Sequence, residues 1–272
     1  MKPEPSVAAA VTAHRHTSAG VERLISGPGG VALGMHCFSG SPGIAEAAVR
    51  GGLDFVVIDC EHSLNTDTEV AQCTRAVQAS GADAWVRIAR IDVGVGRLLD
   101  FGVDGIVLSR ANEARLHELL GEALYAPAGG RGACPAVRAA GYSANDWTSF
   151  AADANQRLWI VPLVEDRRGV EDVDVLAACP QVRALFVGVF DLAAELGATT
   201  TDLREPPLAD AFAAIAAAAA RYGKPVMAST GTDPDTAYVA WLKARGVRIF
   251  STGADVQAVR SAAEQAQALR TS

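Results

Sequence analysis

A closed (β/α)8 barrel is the α/β fold that this sequence predicts. Three observations carry it: eight short apolar runs recur along the chain, longer helical segments separate them, and glycine or proline punctuates the joins. With 272 residues the chain has the length at which one such barrel commonly forms, so a single large domain over residues 21–272 is expected.

In order, the expected strands are VALGMHCF, FVVIDCE, AWVRIA, GIVLSR, LWIVPLVE, ALFVGV, PVMAST and RIFSTG. Most are apolar at both alternating positions, the pattern of parallel strands buried on two faces. Helices are expected over Pro42–Val49, Asp67–Ser80, Asn112–Leu124, Gly169–Ala178, Leu208–Tyr222 and Asp233–Arg245. Gly51, Gly52, Gly81, Gly102, Gly223 and Gly246 stand where left-handed helix stops belong. Ser41, Asn112 and Asp233 stand where N-caps belong. The turn after the first strand reads SGSPGIAEA and lacks GxGxxG, which argues against a dinucleotide fold. One connection, Ala126 to Gln156, is long enough to be functional or to carry helical structure of its own. Its PAGGRG lacks the GK[ST] ending of a phosphate loop.

The net charge of −7 and the absence of any Lys/Arg run leave no surface for a nucleic-acid backbone, so the expected partner is a small molecule. Five cysteines without a CxxC pair fit buried free thiols in a reducing cytoplasm. No stretch is apolar enough to span a membrane. Residues 1–20, with His14 and His16, read as a flexible leader whose apolar run is too short for a signal peptide.

Barrel active sites form where strands end, and polar residues gather at four of those ends: Asp59, Glu61 and His62, then Arg87, Glu165 and Asp191. Glu165 and Asp191 suit a hard, oxygen-seeking cation, Mg²⁺, Mn²⁺ or Co²⁺, although strand-end carboxylates also cap helices or pair with arginine. A lone histidine is more often structural, but His62, three residues after Asp59 and in company with Arg87 and two candidate metal ligands, suits a general base whose imidazole a carboxylate orients.

These residues resemble the HpcH/HpaI class II pyruvate aldolases of the phosphoenolpyruvate/pyruvate barrel superfamily. The resemblance runs from about Val31 to Asp255 through SPGIAEAAVRGGLDFVVIDCEHS, WVRIAR, LLDFGVDGIVLSRANE, YAPAGGRG, PLVED, LFVGVFDLAAELG and VRIFSTGAD. It implies a metal-dependent lyase that cleaves a 4-hydroxy-2-oxoacid to pyruvate and an aldehyde through a metal-stabilised enolate. By the same resemblance Glu165 and Asp191 are metal ligands, and His62, supported by Asp59, is the acid/base group acting through a metal-bound water. Arg87 stabilises the enolate oxygen, and Asp100 lies near the aldehyde end, across a subunit contact in a homo-oligomer that is typically a hexamer. No lysine stands at a matching strand end for Schiff-base chemistry, and Lys224 precedes its strand.

The chain departs from the family pattern at Leu163, where a glutamine is common, and at Val189 and Phe190, where GPADLS is common. Leu163 should point with Glu165 into the barrel mouth and favour small or apolar aldehydes. PLVE resembles the citrate lyase β and malyl-CoA lyase branch, so a CoA-thioester lyase is one alternative and a non-catalytic binding paralogue another.

Overall fold

The computed structural model describes residues 20–231 and 235–270. The expected leader therefore lies outside the described residues, apart from Gly20, as do His14, His16 and Asp233. Eight parallel strands close a TIM barrel in sequence order: β1 (Ala32–Cys37), β2 (Phe55–Asp59), β3 (Asp83–Ile88), β4 (Gly105–Leu108), β5 (Trp159–Val164), β6 (Leu185–Val187), β7 (Val226–Ser229) and β8 (Val247–Ala254). All eight expected runs form these strands.

Alternation along each strand divides two cores. Outward residues such as Val56, Ile58, Val86, Ile106 and Ile160 pack beneath the helices. Inward residues, among them Phe55, Val57, Trp85, Val107, Trp159, Val161, Leu163, Phe186, Met227 and Ile249, fill the barrel. Phe55, Trp85 and Trp159 stack with centroids 4.7 and 5.1 Å apart. This stack needs Gly105, where a Cβ would lie 2.8 Å from the Trp159 Cβ and 2.9 Å from the Trp85 Cδ1. A short helix, Gly20–Ile25, covers the N-terminal end and buries Val21 completely.

Helix ends follow local chemistry. Ser41 and Asn112 cap as expected, accepting the N–H groups of Ile44 and Arg115, and five of the six expected stop glycines have positive φ, Gly51 being the exception. The expected helix Gly169–Ala178 instead forms two, Arg167–Glu171 and Val173–Ala178. Asp166 caps the first of these by accepting the Gly169 N–H at 2.7 Å. Asp172 breaks the run with its carboxylate committed to the Glu113 N–H and to Arg168. The helix expected from Asp233 begins at Thr236, where Asp235 accepts the Ala237 N–H. The long connection after Ala126 does carry a helix, Trp147–Arg157. Helices Gly94–Asp100, Val189–Leu196 and Asp255–Gln267 complete the layer. No described helix is long and apolar enough to cross a membrane. The five cysteines are free, but only Cys37 and Cys73 are buried, because the others sit in connections instead of strand or helix interiors.

Candidate active site

The inward alternation that fills the barrel continues upward into polar residues at the C-terminal strand ends: His36 on β1, Asp59 on β2, Arg87 on β3, Ser109 after β4 and Glu165 after β5. Asp59 and Arg87 are register partners. Arg87 Nε donates to Asp59 Oδ1 at 2.7 Å and lies 3.4 Å from Glu61 Oε2. Asp59 is fully buried, and its carboxylate also accepts the backbone N–H groups of Glu61 at 3.3 Å and His62 at 2.9 Å. One carboxylate thus fixes both the guanidinium and the turn that carries His62.

The expected support of the His62 imidazole by Asp59 takes a different form. Asp59 holds the backbone of His62, and the carboxylate beside the ring is Glu61, with Oε2 3.6 Å from Nε2. Glu61 is held in turn by the Ser109 hydroxyl, which donates to Oε2 at 2.5 Å. The His62 side chain is 58% exposed, so it can exchange protons with solvent at the mouth.

Glu165 is buried, and its Oε1 accepts the Arg110 N–H at 2.7 Å. Arg110 reaches this position with φ +48°, a left-handed conformation that a bulky residue keeps only where surrounding structure enforces it. Burial pushes the Glu165 carboxyl up to about 7; the Arg110 N–H opposes this, while the Glu61 and Asp191 charges add to it. Asp191 stands exposed in the first turn of Val189–Leu196, directly after the Gly188 that lies against Glu165.

Two buried-to-exposed carboxylates with a mutual charge effect, and no sulfur or paired imidazole near them, are the donor set of a hard cation that keeps waters and takes substrate oxygens. Among the described residues no three His, Cys, Asp or Glu side chains converge closely enough to hold a metal alone. Glu165 and Asp191 fit a site that needs further oxygens from water and substrate.

Asp100 falls elsewhere. It ends the helix Gly94–Asp100 and pairs with Arg131 of the PAGGRG segment at 2.7 Å, and it joins none of the other five expected site residues. Arg131 is itself stacked over Tyr125, with Cζ 4.3 Å from the ring centre. Leu163 points inward with Glu165 as expected, within the inner core, while Phe190 is 72% exposed at the rim. A cavity of about 580 Å³ also opens at the opposite end of the barrel, between Glu22, Arg183 and Lys224. Its Arg183 is paired with Glu22 and its Lys224 donates to the Val182 carbonyl, which leaves little there to act on a substrate.

Sequence reasoning missed Ser109, the Arg110 backbone donor and His36. Each sits in a run read only as a strand, where apolar residues at both alternating positions hide which parity points inward.

A guanidinium pinned by a buried carboxylate stands beside a second buried acid at the C-terminal mouth of the barrel, where enzymes of this fold carry their active sites. The chain belongs to the HpcH/HpaI aldolase/citrate lyase family, whose model matches residues 32–262. It is a pyruvate-type aldolase, a carbon–carbon lyase, of that family, whose members use a divalent metal. It is 33% identical over 242 residues to the hydroxypyruvate/pyruvate aldolase of Paraburkholderia phytofirmans, covering 86% of this chain and 91% of that protein. The 4-hydroxy-2-oxovalerate aldolase of Novosphingobium aromaticivorans is 32% identical over 205 residues, 72% of this chain and 75% of that one. Among solved structures, an HpcH/HpaI aldolase/citrate lyase family protein from Burkholderia cenocepacia superposes with a TM-score of 0.83 at 30% identity, covering 94% of this chain and all of the other.

Proposed function

We propose that this enzyme reversibly cleaves a 4-hydroxy-2-oxoacid to a pyruvate-type 2-oxoacid and an aldehyde, using Glu165 and Asp191 to hold Mg²⁺ or Mn²⁺. The observation that supports this most is the Asp59–Arg87 pair at 2.7 Å, which presents a fixed guanidinium at the mouth next to buried Glu165.

In the synthetic direction a proton passes from C3 of the 2-oxoacid through water to His62, and the electron pair of that C–H bond delocalises onto the keto oxygen. Arg87 donates N–H bonds to that oxygen, and these strengthen as its charge grows, so the enolate gains more than the ketone. Glu165 and Asp191 would hold the divalent cation, which when bound would supply Lewis-acid stabilisation of the enolate. C3 then forms a bond to the aldehyde carbon while the aldehyde C=O π bond breaks, and the resulting alkoxide takes a proton. His62, exposed at the mouth and set by Asp59, exchanges that proton with solvent. Cleavage is the reverse sequence.

Asp100 serves the aldehyde end from a neighbouring subunit of a homo-oligomer, in keeping with its distance in the network from the other site residues of its own chain. Leu163, inward beneath Glu165, offers no hydrogen bond, and the acceptor is accordingly a small or apolar aldehyde. Pyruvate release from a panel of 4-hydroxy-2-oxoacids by metal-reconstituted protein tests the reading. Release that requires metal supports it, and release that survives exhaustive chelation overturns it. Faster cleavage of strongly hydroxylated substrates than of aliphatic ones, unchanged in Leu163→Gln, removes Leu163 from the acceptor argument.

A further inference from the structure

His36 is a buried polar group of the barrel interior that the proposed chemistry leaves unused. It lies on β1 with Gly34 and Ala32 below it on the same inward face, and it is 8% exposed. Its Nδ1 is bonded to the Ser251 hydroxyl on β8 at 3.0 Å. Its ring stacks on Phe186 of β6, centroids 6.0 Å apart, and lies 6.4 Å from Phe38. Phe38 in turn sits under Arg87, 5.7 Å from the guanidinium carbon. The imidazole is thus anchored on one nitrogen and clamped by aromatic rings at the floor of the mouth. Its distal nitrogen, Nε2, is buried with no partner among the described residues.

A buried ring nitrogen without a partner forfeits the hydrogen bond it had with water, which costs stability unless a ligand restores it. Burial, aided by the Arg87 charge, pushes the imidazole down to about 4, so it is uncharged at neutral pH and offers either one N–H or one lone pair at Nε2. Under the aldolase reading, on which this inference rests, the keto oxygen and carboxylate of the 2-oxoacid are engaged by Arg87 and the cation. What remains to meet the floor is C3 and its substituent. A hydroxyl there both donates and accepts, so it satisfies Nε2 in either tautomer, and its carbon lies against Phe186. A methyl in the same place leaves Nε2 unpaired.

We propose that His36 is a specificity-determining residue of the donor site, hydrogen-bonding through Nε2 to a hydroxyl on C3 of the 2-oxoacid. The enzyme then prefers 3-hydroxy-2-oxoacid donors to their methyl isosteres.

The test compares 3-hydroxypyruvate with 2-oxobutanoate, which carries a methyl in place of the hydroxyl, in the metal-loaded full chain. It reads kcat/KM with acetaldehyde as common acceptor and, separately, the calorimetric Kd of each donor. Wild type should favour 3-hydroxypyruvate by about tenfold in Kd, the lower end of the effect of leaving one buried polar group unpaired. His36→Phe, which keeps the stack on Phe186 but removes both nitrogens, should collapse the preference while holding the Kd of pyruvate within about threefold. His36→Gln, which restores a donor and an acceptor, should recover part of it. A wild type that binds 2-oxobutanoate as tightly as 3-hydroxypyruvate overturns the proposal without any variant, and so does a preference that persists in His36→Phe. Tight, His36-dependent binding of 3-hydroxypyruvate without turnover supports His36 and refutes the aldol reading instead.

Discussion

Gly188 lies so close to Glu165 that a Cβ there would fall 2.4 Å from the Glu165 Cβ and 2.7 Å from its Oε2. The backbone of Gly188 has φ −86°, which any residue can adopt, so the requirement for glycine is one of space alone. Gly188→Ala should displace the Glu165 carboxylate, and the contact with the Glu165 Cβ requires a local shift of the backbone as well. Metal affinity should fall by about 10–100-fold, the usual effect of disturbing the support of a ligand, with the circular dichroism spectrum unchanged. Calorimetric titration with Mn²⁺ checks this, and wild-type affinity in the variant would remove Glu165 from the ligand set.

Glu165→Gln and Asp191→Ala remove proposed ligands at the barrel mouth instead of core packing, so both proteins should fold. Each should lose divalent-metal binding and cleavage activity together. If either variant keeps a metal-dependent rise in melting temperature equal to that of wild type, the pair has been wrongly assigned.

Arg87 and His62 should separate kinetically. Arg87→Lys leaves a charge but not the planar fork that meets Asp59 and the keto oxygen, and it should lower turnover by about 10²-fold. His62→Ala should lower turnover by about 10²-fold or more. Deuterium exchange into the methyl group of pyruvate isolates proton removal from carbon–carbon bond formation. Exchange at the wild-type rate in both variants would contradict these roles.

Most of the barrel was legible because both-face burial writes eight nearly continuous apolar runs, from Ala32–Cys37 to Val247–Ala254. The break at Asp172 was not, since it depends on a carboxylate claimed by the Glu113 N–H from 59 residues away. In the site, Asp59, Arg87 and Glu165 were legible as polar residues ending apolar strands. The partition of Asp59 to a backbone and of Glu61 to the His62 ring was not, because sequence spacing does not tell a side chain from the amide beside it. His36 escaped notice inside VALGMHCF, where its inward parity emerges only once β1 is placed between β2 and β8.

At the end of the barrel away from the mouth, Asp83 Oδ2 accepts the Val21 N–H at 3.2 Å and so ties the covering helix Gly20–Ile25 to β3. Burial first and the Asp104 carboxylate second push the Asp83 carboxyl from 3.8 up to about 7, with only the Val21 N–H opposing them and Asp54 and Glu22 adding to them. A carboxyl whose pKa is raised by folding binds its proton more tightly in the folded than in the unfolded chain. Its contribution to stability is therefore fully present below pH 3.8 and is lost as pH rises through about 7. Asp83→Asn keeps an oxygen that can accept the Val21 N–H, presents an amide to the neighbouring carboxylates and cannot ionise. The variant should melt close to wild type at pH 5 and above it at pH 8, by about 2–4 °C for each kcal/mol recovered in a domain of comparable size. Hydrogen exchange should report the same change locally, with amides of residues 20–25 exchanging more slowly in the variant than in wild type at pH 8 once intrinsic rates are corrected. A variant that melts below wild type at pH 8, or a difference that does not grow between pH 5 and 8, would show that Asp83 stays ionised in the fold and that its charge is what holds Val21.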